Sequence, residues 1–242
     1  MKILVAITTF LLCVGVMLFS VNFVAYNVAF YDFQFRLNDT AAVMGLSAEE
    51  LAVLRDKVIA YISGRTNVLE IDIFTAYEIS HMTDARAIFI AVRVLSWVLL
   101  IGAMLALIGL YLVDRRRRKA SQGEGGKRSG ELSSDFSESE EKRFFAKGMI
   151  WGNAVFLGLI GLVGLFALFG WDTAFDVFHE IFFPQGNWQF PHDSALIQMF
   201  PVQFFISATW IMVGSAVVFA VVGLVSAVIV TLLRNKPKNK LT

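Results

Sequence analysis

Four stretches of the chain are almost continuously apolar: 3–25, 88–113, 149–170 and 204–233. Each reaches the roughly 20 residues that an α-helix needs to cross a hydrocarbon core about 30 Å thick. None alternates apolar and polar residues in the manner of a barrel strand. Helix and closed barrel are the only ways for a backbone to satisfy its own polar groups in lipid. The pattern therefore predicts an all-α membrane protein with four transmembrane helices, forming a single integral membrane domain over 1–242. The first run begins after Lys2, as a signal peptide would. It is long, however, no small-x-small cleavage site follows, and 22–35 stays aromatic and apolar, so an uncleaved span is expected.

The polar intervals have patterns of their own. In the interval 26–87, Ser47-Ala48-Glu49-Glu50 is a capping box, with Leu46 and Leu51 placed to staple it. Leu51, Leu54, Val58, Tyr61 and Ile62 then recur at helical spacing up to a stop at Gly64. This predicts an amphipathic helix lying on the outer membrane surface or on the other spans. A second box, Thr75 to Glu78, opens a helix that continues into the second span, over 76–113. At 1.5 Å per residue, His81 lies roughly 28 Å from mid-span Leu100, near the polar boundary. In the interval 171–203, a Phe-rich helix is expected from Trp171, capped by Asp172 and ended by Pro184. Phe175, Phe178 and Phe182 share one stripe of it, as do Phe175, His179 and Phe183. Such a helix should dip into the interface, and Gly186, Trp188, Pro191 and Pro201 mark a loop after it.

Charge turns this pattern into a topology. Of 242 residues, 57% are hydrophobic and only 17% charged, against about 25% in a soluble domain. The formal net charge is +1, so no global basic field points to nucleic acid. The cations are nevertheless sorted. Ten lie in the link 114–147 and four in the tail after 233, while 171–207 holds none. By the positive-inside rule both termini and the link are expected in the cytoplasm, with the intervals 26–87 and 171–203 outside. The link is rich in Gly, Ser and charge and reads as a disordered hinge. Its Arg115–Lys119 block reads as the flank of a span ahead of a headgroup site. A single cysteine, Cys13, cannot form an internal disulfide, and the Leu before it makes a poor lipidation box.

Candidate chemistry concentrates on the outer side. The three histidines are His81, His179 and His192, and the first two lie on different helices beside Glu78, Asp84 and Glu180. Histidine is the side chain best matched to proton transfer near neutral pH. Glu78 already has a structural explanation as part of a capping box. Asp84 stands one turn after His81 and could orient its ring, Glu180 points to another face than His179, and His192 reads as a surface residue. A metal site is the competing reading, because Glu78-x-x-His81 has the spacing of di-metal carboxylate bundles. Yet His179-Glu180-Ile181-Phe182-Phe183 has Phe where a zinc-protease helix needs its second His. There is no Gly-x-Ser-x-Gly elbow, no Walker loop and no dinucleotide fingerprint.

Tyr77-Glu78-Ile79-Ser80-His81-Met82-Thr83-Asp84 resembles the Glu-x-x-His-Met-x-Asp signature of a bacterial four-span family. Phe178-His179-Glu180-Ile181-Phe182-Phe183, with Gly186 and Trp188, then Met199-Phe200-Pro201 and Phe204-Phe205, resembles its second signature. The family is that of the lipoprotein intramolecular transacylases. The resemblance implies an enzyme of the bacterial cell membrane that moves the second acyl chain of a diacylglyceryl lipoprotein onto the amine of its N-terminal cysteine. The product is a lyso-form lipoprotein. Diacylated lipoproteins and membrane lipid would be its partners, and it would need no cofactor and no metal. In the site so implied, His81 and His179 are catalytic, Asp84 and Glu78 support them, and Tyr77, Phe183 and Trp188 contact substrate.

The reaction sets its own requirements. An α-amine with a pKa near 8 must lose a proton as it attacks. The developing oxyanion needs a donor, and the leaving glycerol oxygen needs a proton. On this basis the two histidines are expected to divide the roles, for instance His81 as base, oriented by Asp84, and His179 as oxyanion donor or proton shuttle; which takes which role is not set by the sequence. Two other readings stay open: a metal-dependent membrane hydrolase using Glu78, His81 and His179, and a non-enzymatic membrane subunit that binds a partner along the Leu51–Ile62 face.

Overall fold

The computed structural model describes the backbone of residues 1–125 and 132–233, and the side chains of 1–116 and 144–232. Among the described residues it holds nine α-helices and no strand. They are α1 (Lys2–Ala25), α2 (Val28–Leu37), α3 (Thr40–Met44), α4 (Ala48–Ile62), α5 (Ala76–Gly125), α6 (Leu132–Phe169), α7 (Trp171–Phe182), α8 (Ala195–Met199) and α9 (Val202–Leu233). Four segments are long and apolar enough to cross a membrane: Lys2–Ala25, Ala76–Arg116, Phe144–Phe169 and Val202–Leu232. Each overlaps one of the four apolar stretches of the sequence.

Two boundaries differ from the sequence-based expectation. Within the link expected to be a disordered hinge, the backbone continues as α5 through Gly125 and resumes as α6 at Leu132, while 126–131 lie outside the described residues. Arg, Lys, Glu and Gln are good helix formers, so an extension of a span into this sequence is inexpensive. Asp172 does not cap α7. The cap position belongs to Gly170, which makes no side-chain cap bond, and Asp172 sits in the first turn. The reason is that α6 runs to Phe169 and leaves one linking residue, so α7 starts before Asp172 can precede it. A carboxylate in a first turn still complements the helix dipole.

The chain divides into two compact units, each with its own mode of packing. One comprises 1–16, 97–162 and 216–242. Small residues let its helices approach closely, as is usual where lipid removes the hydrophobic incentive to associate. A Cβ at Gly152 would come within 2.5 Å of the Ala6 carbonyl oxygen, and one at Gly148 within 2.7 Å of Val5. Asn153 is buried here; it accepts the Cys13 thiol at 3.3 Å and donates to the Met149 carbonyl at 2.9 Å.

The other unit comprises 17–96 and 163–215 and has an aromatic-aliphatic core. The capping box at Ser47 and Glu50 starts α4 as the sequence predicts. Its face Leu51, Val58, Tyr61 and Ile62 is buried in that core, so α4 packs on protein. The last carbonyls of α4 are taken by guanidinium groups from α5: Arg86 donates to Tyr61 at 3.0 Å and Arg93 to Ser63 at 2.7 Å. Cations at a helix C-terminus satisfy both its unpaired carbonyls and its dipole. Arg55 pairs with Asp32 and ties α4 to α2. Phe30, Tyr31, Phe35, Phe200 and Phe204 pack largely edge to face, and the Tyr31 hydroxyl donates to the Ala25 carbonyl at 3.0 Å. Helices α2, α3 and α8 were not anticipated, because they are short and carry mixed apolar patterns.

Candidate active site

The Thr75 box fixes where α5 begins and hence the depth of His81. Thr75 accepts the Glu78 amide at 3.2 Å on its hydroxyl, and its own amide donates to the Glu78 carboxylate at 2.7 Å. His81 follows one turn after Glu78. His179 sits in the last turn of α7, facing inward while Val177, Phe178, Ile181 and Phe182 of the same helix stay exposed. The two imidazole rings are 6.1 Å apart between centroids and only 23° from parallel. Phe183, which is 4% exposed, lies 4.4 Å from His81 and 5.4 Å from His179. Phe175 and Trp188 flank His179 at 4.0 and 4.9 Å, and Phe190 meets His81 edge-on at 5.5 Å. Two titratable rings thus share a mostly aromatic enclosure.

The hydrogen bonds distinguish the two histidines. His179 Nδ1 lies 2.7 Å from the Phe175 carbonyl oxygen, an atom that can only accept. Nδ1 therefore carries the proton, and in the neutral ring Nε2 is left with the free lone pair. Burial holds the His179 pKa below its ordinary value, against smaller opposing effects of the Phe175 carbonyl and the Asp176 carboxylate. His81 is different: its Nδ1 is buried with no hydrogen-bond partner among the described residues. Buried polar groups are nearly always bonded, so this unpaired nitrogen sets His81 apart from His179.

A polar clamp holds the loop after α7 against α5. The Asp84 carboxylate accepts from Gln185 Nε2 and from Asn187 Nδ2, each at 2.6 Å. Asn187, 6% exposed, also donates to the Ser80 hydroxyl at 3.2 Å. The Tyr77 hydroxyl donates to the Gly186 carbonyl at 2.9 Å, and the Tyr77 ring packs on Phe190. Gly186 has φ +78°, a left-handed conformation that favours glycine and turns the chain toward Trp188. Glu78 completes the clamp: it is 1% exposed and accepts the Leu196 amide at 2.8 Å on one oxygen, with Thr75 on the other. Hydrogen bonds to a charged group contribute about 1.5–3 kcal/mol each, so this buried carboxylate fastens α8 to α5.

The structure thus brings His81, His179, Phe183 and Trp188 together. Asp84 takes its hydrogen bonds from Gln185 and Asn187, and its charge favours the protonated form of His81 against the larger effect of burial. Both oxygens of Glu78 are engaged structurally, and the Tyr77 hydroxyl is bound to backbone. Glu180 and His192 are exposed. Among the described residues no group of three or more His, Cys, Asp or Glu side chains gathers as a metal site would require. Gln185, Asn187 and Phe190 escaped the sequence reading, since a loop amide or a ring in an aromatic-rich chain carries no periodic signal.

The family model described as lipoprotein intramolecular transacylase Lit matches residues 6–205. The fold is similar to that of the membrane integral lipoprotein intramolecular transacylase Lit from Bacillus cereus, with a TM-score of 0.73 at 14% identity over 96% of this chain and 95% of that one. Two structures of that protein with a single histidine replaced, one by arginine and one by alanine, align with TM-scores of 0.67 at 14% identity. Each covers 96% of this chain, and 92% or 93% of its own. A comparison with curated proteins finds no match.

Proposed function

Since the chain belongs to the lipoprotein intramolecular transacylase family, an enzyme of the membrane acting within a lipoprotein, we propose that His81 and His179 carry its acyl transfer between them. The observation that carries this reading is the pair itself: two rings 6.1 Å apart, enclosed by Phe175, Phe183 and Trp188. That spacing is within the reach of one small bridging group, as proton transfer requires. The substrate is a diacylglyceryl lipoprotein whose second acyl chain moves to the amine of its N-terminal cysteine.

Of the two assignments that the sequence leaves open, the hydrogen bonds favour one. His179 is the base, because its Nδ1–H is committed to the Phe175 carbonyl and Nε2 holds the lone pair. It takes the proton as the amine nitrogen attacks the ester carbonyl carbon. His81, whose ring lies 6.1 Å from that of His179, hydrogen-bonds the developing oxyanion. The C–N bond forms, the C–O bond to glycerol breaks, and the proton returns to the glycerol oxygen. No water enters, and one pocket holding both reacting groups supplies the proximity. The aromatic walls favour aminolysis by keeping competing water away.

Localisation follows from the sorted cations. The protein lies in the bacterial cell membrane with both termini and the link in the cytoplasm, and the histidine pair faces the outer leaflet.

The test uses the purified full-length enzyme and a synthetic diacylated lipopeptide, with products read by mass spectrometry. His81→Ala and His179→Ala are each expected to slow conversion to the lyso form at least a hundredfold, the low end for loss of an acid-base group. Full-rate conversion by either folded variant overturns the assignment.

A further inference from the structure

We propose that a groove beside the histidine pair is the seat of the migrating acyl chain and sets the chain length the enzyme accepts; this rests on the acyl-transfer reading above. The groove has a volume of about 210 Å³. One wall is Gly164 and Ala167 of α6, the other is Ile206, Thr209 and Val213 of α9, and Trp171 of α7 stands with them. The spacing is that of facing helical stripes: i and i+3 on α6, and i, i+3 and i+7 on α9. Small residues on α6 create the depression. A Cβ at Gly164 would meet nothing within 4 Å.

Two observations join the groove to the reaction centre. Trp171, Phe175 and His179 follow one another at four-residue intervals on α7, so the groove residue lies two turns from the histidine along one stripe. That rise is about 12 Å. Independently, the Phe205 ring lies 6.0 Å from Phe175, whose ring is 4.0 Å from His179. Phe205 directly precedes Ile206 at the head of the α9 wall. From Phe205 to Val213 is again about 12 Å. Two leaflets of acyl chains fill a core about 30 Å thick, so one chain reaches about 15 Å. A chain whose ester carbonyl stands at His179 therefore passes the aromatic pair and lays its distal carbons in the groove.

The commitment is to the migrating chain because it is the one whose carbonyl carbon is at the reaction centre. It keeps its place while that carbon exchanges a glycerol oxygen for the cysteine nitrogen. A groove that holds it fixed lets the rest of the substrate move. Lipid tails are as apolar as the groove, so the groove selects by shape and not by a hydrophobic gain. Filling it displaces the carbonyl, and displacements near 1 Å cost about a hundredfold in rate.

The test uses full-length enzyme in nanodiscs and lipopeptides carrying a C8 or C16 migrating chain beside a constant C16 retained chain. Gly164→Phe and Ala167→Phe are expected to lower the C16-to-C8 rate ratio at least tenfold. Val163→Phe, on the exposed neighbouring position of α6, is the control and should keep the wild-type ratio. Thermal unfolding checks that each variant is folded, and Thr209→Phe approaches the groove from the other wall should an α6 variant fail. An unchanged ratio in folded groove variants overturns the proposal, as does a change that follows the retained chain or appears equally in Val163→Phe. Failure of the histidine reading is a different result: active His81→Ala or His179→Ala enzyme, whatever the chain length.

Discussion

His179 donates its Nδ1–H to the carbonyl of Phe175, one turn back on the same helix, at 2.7 Å. This bond decides which nitrogen of His179 is basic and where it points, and it does so from within α7 alone. The partner ring, His81, stands on a different helix with a buried nitrogen left unpaired. The asymmetry between the two rings has kinetic consequences.

Burial lowers the His179 pKa from its ordinary value near 6.5, so the ring stays neutral and able to accept a proton to lower pH than a free imidazole. Its basic form is lost as pH falls through that depressed value. The substrate amine, with a pKa near 8, loses its reactive form first. The logarithm of the single-turnover rate should therefore rise with unit slope up to about pH 8, and steepen to a slope of two only below about pH 6.5. Rates in liposomes between pH 5 and 9 measure this. A slope of two above pH 6.5 would show that burial does not set the base.

The Asp84 carboxylate is held by Gln185 and Asn187 of the loop after α7. Removing either end of that clamp releases the segment that carries Trp188 onto His179. Asp84→Ala and Asn187→Ala should each slow turnover at least tenfold, about 1.4 kcal/mol. Because they cut one connection, the double variant should lose little more than either single one. A rate-based double-mutant cycle decides the matter; additive losses would mean that Asp84 orients His81 independently of the loop.

Close helix approach in the unit built from 1–16, 97–162 and 216–242 makes a contrast between two glycines of α6. At Gly152 a Cβ would meet Ala6 backbone at 2.5 Å and Thr9 at 2.7 Å, whereas at Gly158 it would meet nothing within 4 Å. Gly152→Ala should destabilise by about 1–3 kcal/mol through overpacking. Gly158→Ala should be neutral or stabilise by up to about 1 kcal/mol through helix propensity. Thermal unfolding in detergent reads both, and equal shifts would contradict the packing described for Gly152.

How far the sequence reaches depends on the range of the physics involved. The four spans, the α4 capping box at Ser47 and Glu50, and the α5 start at Thr75 and Glu78 rest on composition, helical period and contacts three residues apart. All of these are local, and all were readable. His81 and His179 stood out because ring chemistry and depth can be inferred from where a span begins. The tertiary structure alone brought those rings, 98 positions apart in sequence, to 6.1 Å, and it set the Asp84 carboxylate on the Gln185 and Asn187 amides. It also made Asn187 and Gln185 visible, as amides whose value lies wholly in their partners across the fold. A helix is specified by neighbours in the chain, whereas a site depends on which surfaces pack, and packing has no period to read.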